Sequence, residues 1–421
     1  MKPTTAALLA GAGASALAFA ATPAAAQDLR VFIGGQQRPD VVRPLLDRYQ
    51  EANPGVSIEL EVGGATSELQ QQYLTTVLTS QDDALDVFLI DVVRPAQYAA
   101  AGWAEPLDSY LGDERDAVLD RYLPVYAEAD VVNGEIVALP AFADAMFLYY
   151  RADLLEEHGF EPPETWEELM TAASAIQEAE GDDNLQGLSY QGAAIEGANC
   201  TFLVPYWGAG GTLTDAEGNV DIDEAAAEQA FGFLLDTIES GVTKANIAEV
   251  GTDDTRREFQ AGNVIFAINW AYAWNRFQTD EDSAVAGDVG VVPLPAFEGG
   301  EPATCIGGWQ WAVSAFSSNK EAAVDLVRFL SGPEGSKHLA INASNLPVIP
   351  GLYEDPEVLE VNPWFEFALP VVLSARSRPQ SPRYPEVSDT IRTEVNAVLA
   401  GIKEPEAAIT DMEARLQRVL R

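Results

Sequence analysis

The stretch from residue 140 to residue 173 constrains the fold of this chain most, because it combines a strand, two helices and a sharp turn. Its apolar run at residues 145–150 is typical of a buried strand. A short helix is predicted to follow and to end at Gly159, and a capping box at Thr165 begins a second helix. Asp144 precedes the apolar run, where a carboxylate must be paired, solvated or facing a cleft.

Strands and helices alternate in the part of the chain that precedes this stretch. Residues 29–33, 56–62 and 86–90 have strand patterns, and helical periodicity separates them. This order predicts an α/β fold with a mostly parallel sheet covered by helices. Ligands of such sheets bind at the carboxyl ends of strands, and Asp91 lies directly at one of those ends.

The first 26 residues are predicted to be a signal peptide. Lys2 precedes an apolar run at residues 6–21, and the small residues that follow indicate cleavage after Ala26. We therefore expect an exported, periplasmic protein. About 395 residues remain (421 minus 26), which exceeds what one hydrophobic core usually serves, so two lobes are expected.

The net charge limits the classes of molecule that the protein can bind, and the two cysteines bear on disulfide formation. A formal net charge of −42 repels nucleic acid and anionic membranes, whereas neutral or cationic small ligands stay possible. The acidic residues are spread along the chain, which favours a solvated surface. In an exported protein the pair Cys200 and Cys305 favours a disulfide, with two unpaired buried thiols as the alternative.

The sequence contains few of the patterns that carry catalysis. His158 and His338 are its only histidines, and neither has an acidic or cysteine partner at ligand spacing, so we interpret both as structural. Serine-nucleophile, phosphate-binding and dinucleotide-binding motifs are missing from the sequence. We therefore expect no enzyme activity, no cofactor and no metal site. Paired carboxylates for glycoside hydrolysis stay open as an alternative.

Aromatic and polar residues at predicted element ends suit carbohydrate binding. Sugars offer flat C–H faces that pack on aromatic rings, and hydroxyl groups that both donate and accept hydrogen bonds. Carboxylates accept from those hydroxyls and a guanidinium donates to them. Core packing is the alternative for any single aromatic residue. The group comprises Gln37, Thr66, Asp91, Asp144, Trp270, Tyr272, Trp309 and Arg378.

Two segments of the opening stretch resemble a known family. The run at residues 148–155 (LYYRADLL) and the block at residues 159–169 (GFEPPETWEEL) resemble the signature of the extracellular solute-binding proteins (family 1) of carbohydrate ABC transporters. The trehalose- and maltose-binding branch is the most similar. The resemblance extends over nearly all of the mature chain through weaker segments in the same order: residues 86–91, 102–103, 259–262, 269–272, 307–309, 319–322 and 378–385.

By resemblance, ten residues would bind the ligand. The two aspartates would accept sugar hydroxyls, the tryptophans and the tyrosine would line the sugar, the arginine would donate, and the glycine would admit the ligand close to the backbone. The first loop often carries a Glu in the family, and a possible Tyr is Phe142 here, so the sugar stays open. The ten are Gln37, Thr66, Asp91, Phe142, Asp144, Trp270, Tyr272, Gly308, Trp309 and Arg378.

The resemblance also implies a fold and a function. We expect a two-lobe periplasmic-binding-protein fold, like that of maltose-binding protein, with an interlobe cleft and three hinge crossovers. Residues 27–139 and 292–334 would form lobe 1, and residues 140–291 and 335–421 lobe 2. Cysteines also occur near positions 200 and 305 in related sequences, which favours the disulfide.

The implied protein is a monomeric receptor that binds a sugar and delivers it to an inner-membrane ABC permease. An α-linked disaccharide such as trehalose or maltose, or a related glycoside, would be the ligand. Two alternatives stay open: a receptor of the same fold for a non-sugar solute such as an osmolyte or polyamine, and a secreted glycoside hydrolase.

Overall fold

The structure is a computed structural model that describes Met1 and residues 27–64, 66–215, 217 and 219–420. Apart from Met1, the predicted signal peptide and its cleavage site after Ala26 lie outside the described residues. Among the helices of the described residues, none has the length and apolar character needed to cross a membrane.

The described residues form a mixed α/β structure. Its strands are β1 (Gln27–Ile33), β2 (Val56–Val62), β3 (Val87–Asp91), β4 (Val131–Val132), β5 (Glu135–Ile136), β6 (Leu139–Arg151), β7 (Gln186–Ser189), β8 (Val264–Trp270), β9 (Val289–Val292) and β10 (Ile306–Val313). Its helices in the first half of the chain are α1 (Pro39–Ala52), α2 (Ser67–Ser80), α3 (Pro95–Ala101), α4 (Asp108–Leu111), α5 (Arg115–Leu119), α6 (Pro124–Ala129), α7 (Ala152–His158), α8 (Trp166–Glu180) and α9 (Glu196–Gly208).

The second half of the chain is mainly helical. Its helices are α10 (Glu224–Glu239), α11 (Thr252–Gln260), α12 (Ala273–Thr279), α13 (Lys320–Leu330), α14 (Pro333–Ala343), α15 (Pro356–Val361), α16 (Phe365–Ser374), α17 (Tyr384–Leu399) and α18 (Pro405–Val419). Short 3₁₀ turns lie at Gly112–Glu114, Ile247–Glu249 and Pro350–Glu354.

One large sheet joins most of the strands, in the order β2-β1-β3-β10-β6-β8-β7, with β9 paired to β6. The parallel pairs are β1 with β2, β1 with β3, and β7 with β8. The expectation of a mostly parallel sheet is wrong for the centre, where β10 and β6 run antiparallel to their neighbours. An alternating order of strands and helices predicts parallel pairing for strands that follow one another in the chain and are joined by a helix. Strands β6 and β10 instead come from distant parts of the chain.

Strand β6 connects the two halves of this sheet. Its first part pairs with β10, from Leu139 to Ala145, and its second part pairs with β8, from Met146 onward. The strand is therefore longer than the predicted residues 145–150, because the β10 ladder also recruits the segment around Pro140 across a register shift. Asp144 lies next to the position where the pairing changes from β10 to β8.

The helices after β6 follow the predicted signals. Helix α7 is followed by Gly159, whose φ of 73° is the left-handed conformation that a glycine adopts at little cost. Helix α8 begins with the capping box: the Thr165 hydroxyl accepts from the Glu168 amide at 3.1 Å, and the Glu168 carboxylate accepts from the Thr165 amide at 3.1 Å. Both predictions are confirmed.

The disulfide between Cys200 and Cys305 is present, as expected, with a Cα–Cα distance of 5.7 Å. It ties α9 to the residue that precedes β10, and both sulfur-bearing residues are fully buried. The bond thus links two elements, α9 and β10, that both contribute residues to one cleft.

Candidate functional site

All ten residues predicted as ligand contacts line one cleft. The cleft lies where β6 changes partners, so residues from both halves of the sheet surround it. The residues brought together are Gln37, Thr66, Asp91, Phe142, Asp144, Trp270, Tyr272, Gly308, Trp309 and Arg378.

Strand ends explain why distant residues meet here. Asp91 is the last residue of β3 and Trp270 the last residue of β8. The β10 ladder pairs Trp309 with both Asp91 and Phe142, and the β8 ladder pairs Trp270 with Met146. The apolar runs of these strands are buried, and the polar and aromatic side chains at their ends therefore reach the cleft.

Asp144 presents one carboxylate oxygen to the cleft. Its Oδ1 accepts two backbone hydrogen bonds, from the amides of Ala145 and Ala271, both at 2.9 Å. Among the described residues its Oδ2 accepts no hydrogen bond and no ion pair includes Asp144. Burial raises the pKa of this carboxyl to about 7, against the two backbone bonds, and the Asp91 carboxylate adds to the rise.

A compact charge cluster forms the floor of the cleft. Arg378 donates through Nη1 to Glu196 at 2.6 Å, and through Nη2 to Asp91 at 3.2 Å and to the carbonyl of Ile306 at 3.2 Å. Arg94 approaches Glu196 at 4.0 Å. Two carboxylates thus face two guanidinium groups, and the cluster is close to electrically neutral.

The pKa values in this cluster follow from burial and from those charges. Burial opposes ionisation of Glu196, but Arg378 and Arg94 outweigh it and hold the pKa of Glu196 at about 2. Burial raises the pKa of Asp91, although Arg378 opposes the rise. The Arg378 Nε atom has no hydrogen-bond partner among the described residues, whereas both Nη atoms donate within the protein.

Aromatic side chains form the walls. Trp270, Tyr272 and Trp309 are half-buried, and Phe142 is buried. The Tyr272 hydroxyl has no hydrogen-bond partner among the described residues, although a buried tyrosine hydroxyl normally finds one. The walls therefore offer ring faces together with an unused polar group.

Gly308 has a conformation that a side chain would disturb. Its φ is 124°, and a Cβ atom built there would lie 2.6 Å from the carbonyl oxygen of Phe142. The missing side chain lets β10 approach β6 closely at the cleft, in addition to any role toward a ligand.

Sequence reasoning missed several lining residues, of which Glu196 has the most contacts. Besides Arg378, it accepts from Ser388 at 2.6 Å and from Asn199 at 2.9 Å, and it bonds to the Tyr384 hydroxyl. It follows an irregular segment with no periodic signal, and its partners Arg378 and Ser388 lie 182 and 192 positions away. The others missed are Gln36, Ser67, Glu68, Ile195, Gly197, Thr252, Gly307 and Asn345.

The histidines lie away from this cleft. His158 Nε2 lies 2.7 Å from Glu180 Oε1, and with Glu157 these residues could bring three potential metal ligands within 4.8 Å of one another. His338 Nε2 lies 2.8 Å from the carbonyl oxygen of Val41. Sequence spacing did not reveal the Glu180 partner, because it comes from the far end of α8.

Residues 20–337 match the family model described as bacterial extracellular solute-binding protein. The match covers well over half of the chain. The chain belongs to this family. The solute-binding protein is similar to a Deinococcus radiodurans relative named "Probable ABC transporter-binding protein", with 36% identity over 347 residues and 80% of each chain covered. It is 26% identical to the mannitol-binding protein of Pseudomonas aeruginosa over 313 residues, covering 72% of this chain and 68% of that one.

Solved structures of sugar-binding members share its fold. Maltose-bound T. maritima MalE3 is 35% identical, with a TM-score of 0.88 and coverage of 94% of this chain and 100% of that one. The GacH receptor of Streptomyces glaucescens, solved with acarbose, is 25% identical, with a TM-score of 0.82 and coverage of 94% and 98%. The predicted two-lobe, MalE-like fold is therefore confirmed, and family and fold are those of transport solute-binding proteins rather than enzymes.

Proposed function

We propose that this solute-binding protein is the periplasmic receptor of an ABC importer and binds an α-linked disaccharide or a related glycoside in its cleft. The observation that carries the proposal is the arrangement around Asp144. A single unpaired carboxylate oxygen faces a cleft with aromatic walls, while the remaining charges of the floor neutralise one another. A neutral polyol with ring faces suits this arrangement because it brings hydroxyl donors and no charge to desolvate.

Each predicted contact then has a proposed role. Asp144 Oδ2 accepts a sugar hydroxyl, Trp270 and Trp309 pack on sugar ring faces, and the Tyr272 hydroxyl supplies a further hydrogen bond. Arg378 acts mainly by fixing Asp91 and Glu196 beside the ligand. Gln37, Thr66 and Phe142 complete the surface around the ligand, and Gly308 keeps the backbone open to it.

Delivery to a membrane permease and export through a cleaved signal peptide belong to the same proposal. The family is extracellular and its relatives include ABC transporter-binding proteins, which supports both. Intact-mass measurement of the protein recovered from a periplasmic extract tests cleavage after Ala26. Gel filtration with light scattering tests the expected monomer.

The division into lobes is likewise proposed. The change of partners within β6 supports a first crossover close to Asp144. The second crossover is proposed near residues 291–295. The contact between His338 of α14 and Val41 of α1 favours placing α14 with the first lobe, and thus a third crossover after residue 343 rather than 334. Limited proteolysis of the ligand-free protein tests these positions.

A thermal-shift screen tests the ligand class. A ligand at about 100 times its Kd should stabilise the protein by about 2.7 kcal/mol. The panel contains maltose, trehalose and mannitol, with spermidine and glycine betaine as probes that carry ammonium groups, because aromatic walls beside a carboxylate also suit such a group. Stabilisation by a sugar, lost in Asp144→Ala, supports the proposal. Stabilisation by spermidine or glycine betaine alone would contradict the sugar assignment and favour a receptor for a non-sugar solute.

A further inference from the structure

Helix α9 lacks a capping side chain of its own. Its N-cap residue is Ile195, which cannot accept a hydrogen bond from the first-turn amides. The carboxylate of Glu68 supplies the missing acceptor, because it accepts the backbone N–H of Glu196, the first residue of the helix. The two residues are 128 positions apart in sequence. Helix α9 is therefore capped by another part of the chain.

The two partners belong to opposite sides of the cleft. Helix α2, which carries Glu68, packs through Leu74 and Leu78 into the apolar cluster that contains Phe32 of β1. Helix α9 instead packs against α10 and α17. Glu68 and Glu196 both line the cleft, so their hydrogen bond connects its two sides.

A second contact strengthens this connection. Arg392 of α17 approaches the Glu68 carboxylate at 3.5 Å and donates to the carbonyl of Ala194 at 3.3 Å, just before α9. Arg392 does not line the cleft. Helix α2 has its own cap, since the Thr66 hydroxyl accepts from the Leu69 amide at 3.3 Å, so Glu68 is available for α9.

We propose that Glu68 is a latch that holds the cleft closed and slows release of the ligand. The inference rests on the proposed function. The carboxylate meets the α9 N-terminus and Arg392 in this structure, and because these partners lie across the cleft, separation of its two sides would break both contacts. A contact made in the closed state alone shifts the open and closed populations toward closure. The latch would thus set the residence time of the ligand without recognising the sugar itself.

The size of the effect follows from the type of bond. A hydrogen bond to a charged group, placed at a helix N-terminus, is among the stronger ones in proteins. We expect Glu68→Ala to raise the dissociation rate of maltose about 10-fold and to leave the association rate nearly unchanged, since most interface changes act on release. Glu68→Gln keeps an acceptor and loses the charge, so its effect should be smaller.

Stopped-flow tryptophan fluorescence with maltose tests the latch. Arg392→Ala should also speed release, although this side chain does not line the cleft, and the double variant should be less than additive. Glu51→Gln, an exposed position on α1, is the control for the loss of one negative charge. An unchanged release rate in Arg392→Ala, or full additivity, would show that Glu68 and Arg392 do not act together and would overturn the latch.

Amide hydrogen exchange of the ligand-free protein tests the latch independently of maltose binding. The amide of Glu196 should exchange about 10-fold faster in ligand-free Glu68→Ala than in the wild type or in Glu51→Gln, because it loses its acceptor. Equal exchange in all three proteins would refute the latch. Absence of sugar binding with faster exchange would instead refute the proposed function and leave the latch standing.

Discussion

Replacing Asp144 with asparagine should make the ligand-free protein more stable at neutral pH and a weaker sugar receptor. Burial raises the pKa of Asp144 from 3.8 to about 7 in the folded protein. The folded state therefore holds this proton more tightly than the unfolded chain does. The stability that comes from this group is complete below pH 3.8 and is lost as the pH rises to about 7.

The size of the stability difference follows from the interval between the unfolded and folded pKa values of Asp144. A difference of about three pH units corresponds to about 4 kcal/mol in the free energy of unfolding. Asparagine keeps an oxygen for the amides of Ala145 and Ala271 and removes the titration. At pH 8, Asp144→Asn should exceed the wild type by up to about 4 kcal/mol, and the difference should vanish near pH 4.

Urea denaturation of both proteins from pH 4 to pH 8 measures this difference, because the other titrating groups are common to both. In calorimetry the wild type should bind its sugar best above pH 7, where Oδ2 accepts a hydroxyl. Asp144→Asn and Asp144→Ala should weaken binding more than 10-fold, and the affinity of Asp144→Asn should no longer depend on pH in this range. A stability difference that is constant with pH, or unchanged sugar affinity, would refute the reasoning.

Three further predictions concern the cleft and the bond beside it. Trp270→Ala should abolish the ligand-dependent change in tryptophan fluorescence, and a retained change would show that this ring does not contact the ligand. Replacing Cys200 and Cys305 with serine should cost up to about 5 kcal/mol of unfolding free energy in denaturation, since the bond spans 105 positions; an unchanged midpoint would contradict this. Gly308→Ala should destabilise by about 2 kcal/mol because its Cβ would meet the Phe142 carbonyl, whereas Gly55→Ala, with open space around it, should not; equal effects would be contrary to the geometry.

The outline of the fold was predictable because its signals are local. The periodicity of β1 to β3 and the capping box of α8 depend on residues near one another in sequence. The antiparallel centre was not predictable from these patterns. The pairing of β10 with β3 and β6 joins segments far apart in the chain, and periodicity does not state which strands become neighbours.

The residues of the cleft likewise divide into those that the sequence could reveal and those that it could not. Asp91 and Asp144 could be found because each is a charged residue next to a buried strand. Glu196 could not, since its importance comes from Arg378, which is 182 positions away. Arg378 donates to both Asp91 and Glu196, so both of its Nη atoms are engaged within the protein.

Identification of the ligand that accompanies the protein tests the central claim most directly. The protein is purified from periplasm without denaturation, and the ligand is released and identified by mass spectrometry. We expect a neutral disaccharide or related glycoside, whose amount falls sharply in Asp144→Ala purified in parallel. An amine or a peptide as the bound molecule, or an equal amount of sugar in Asp144→Ala, would contradict a sugar held at Asp144.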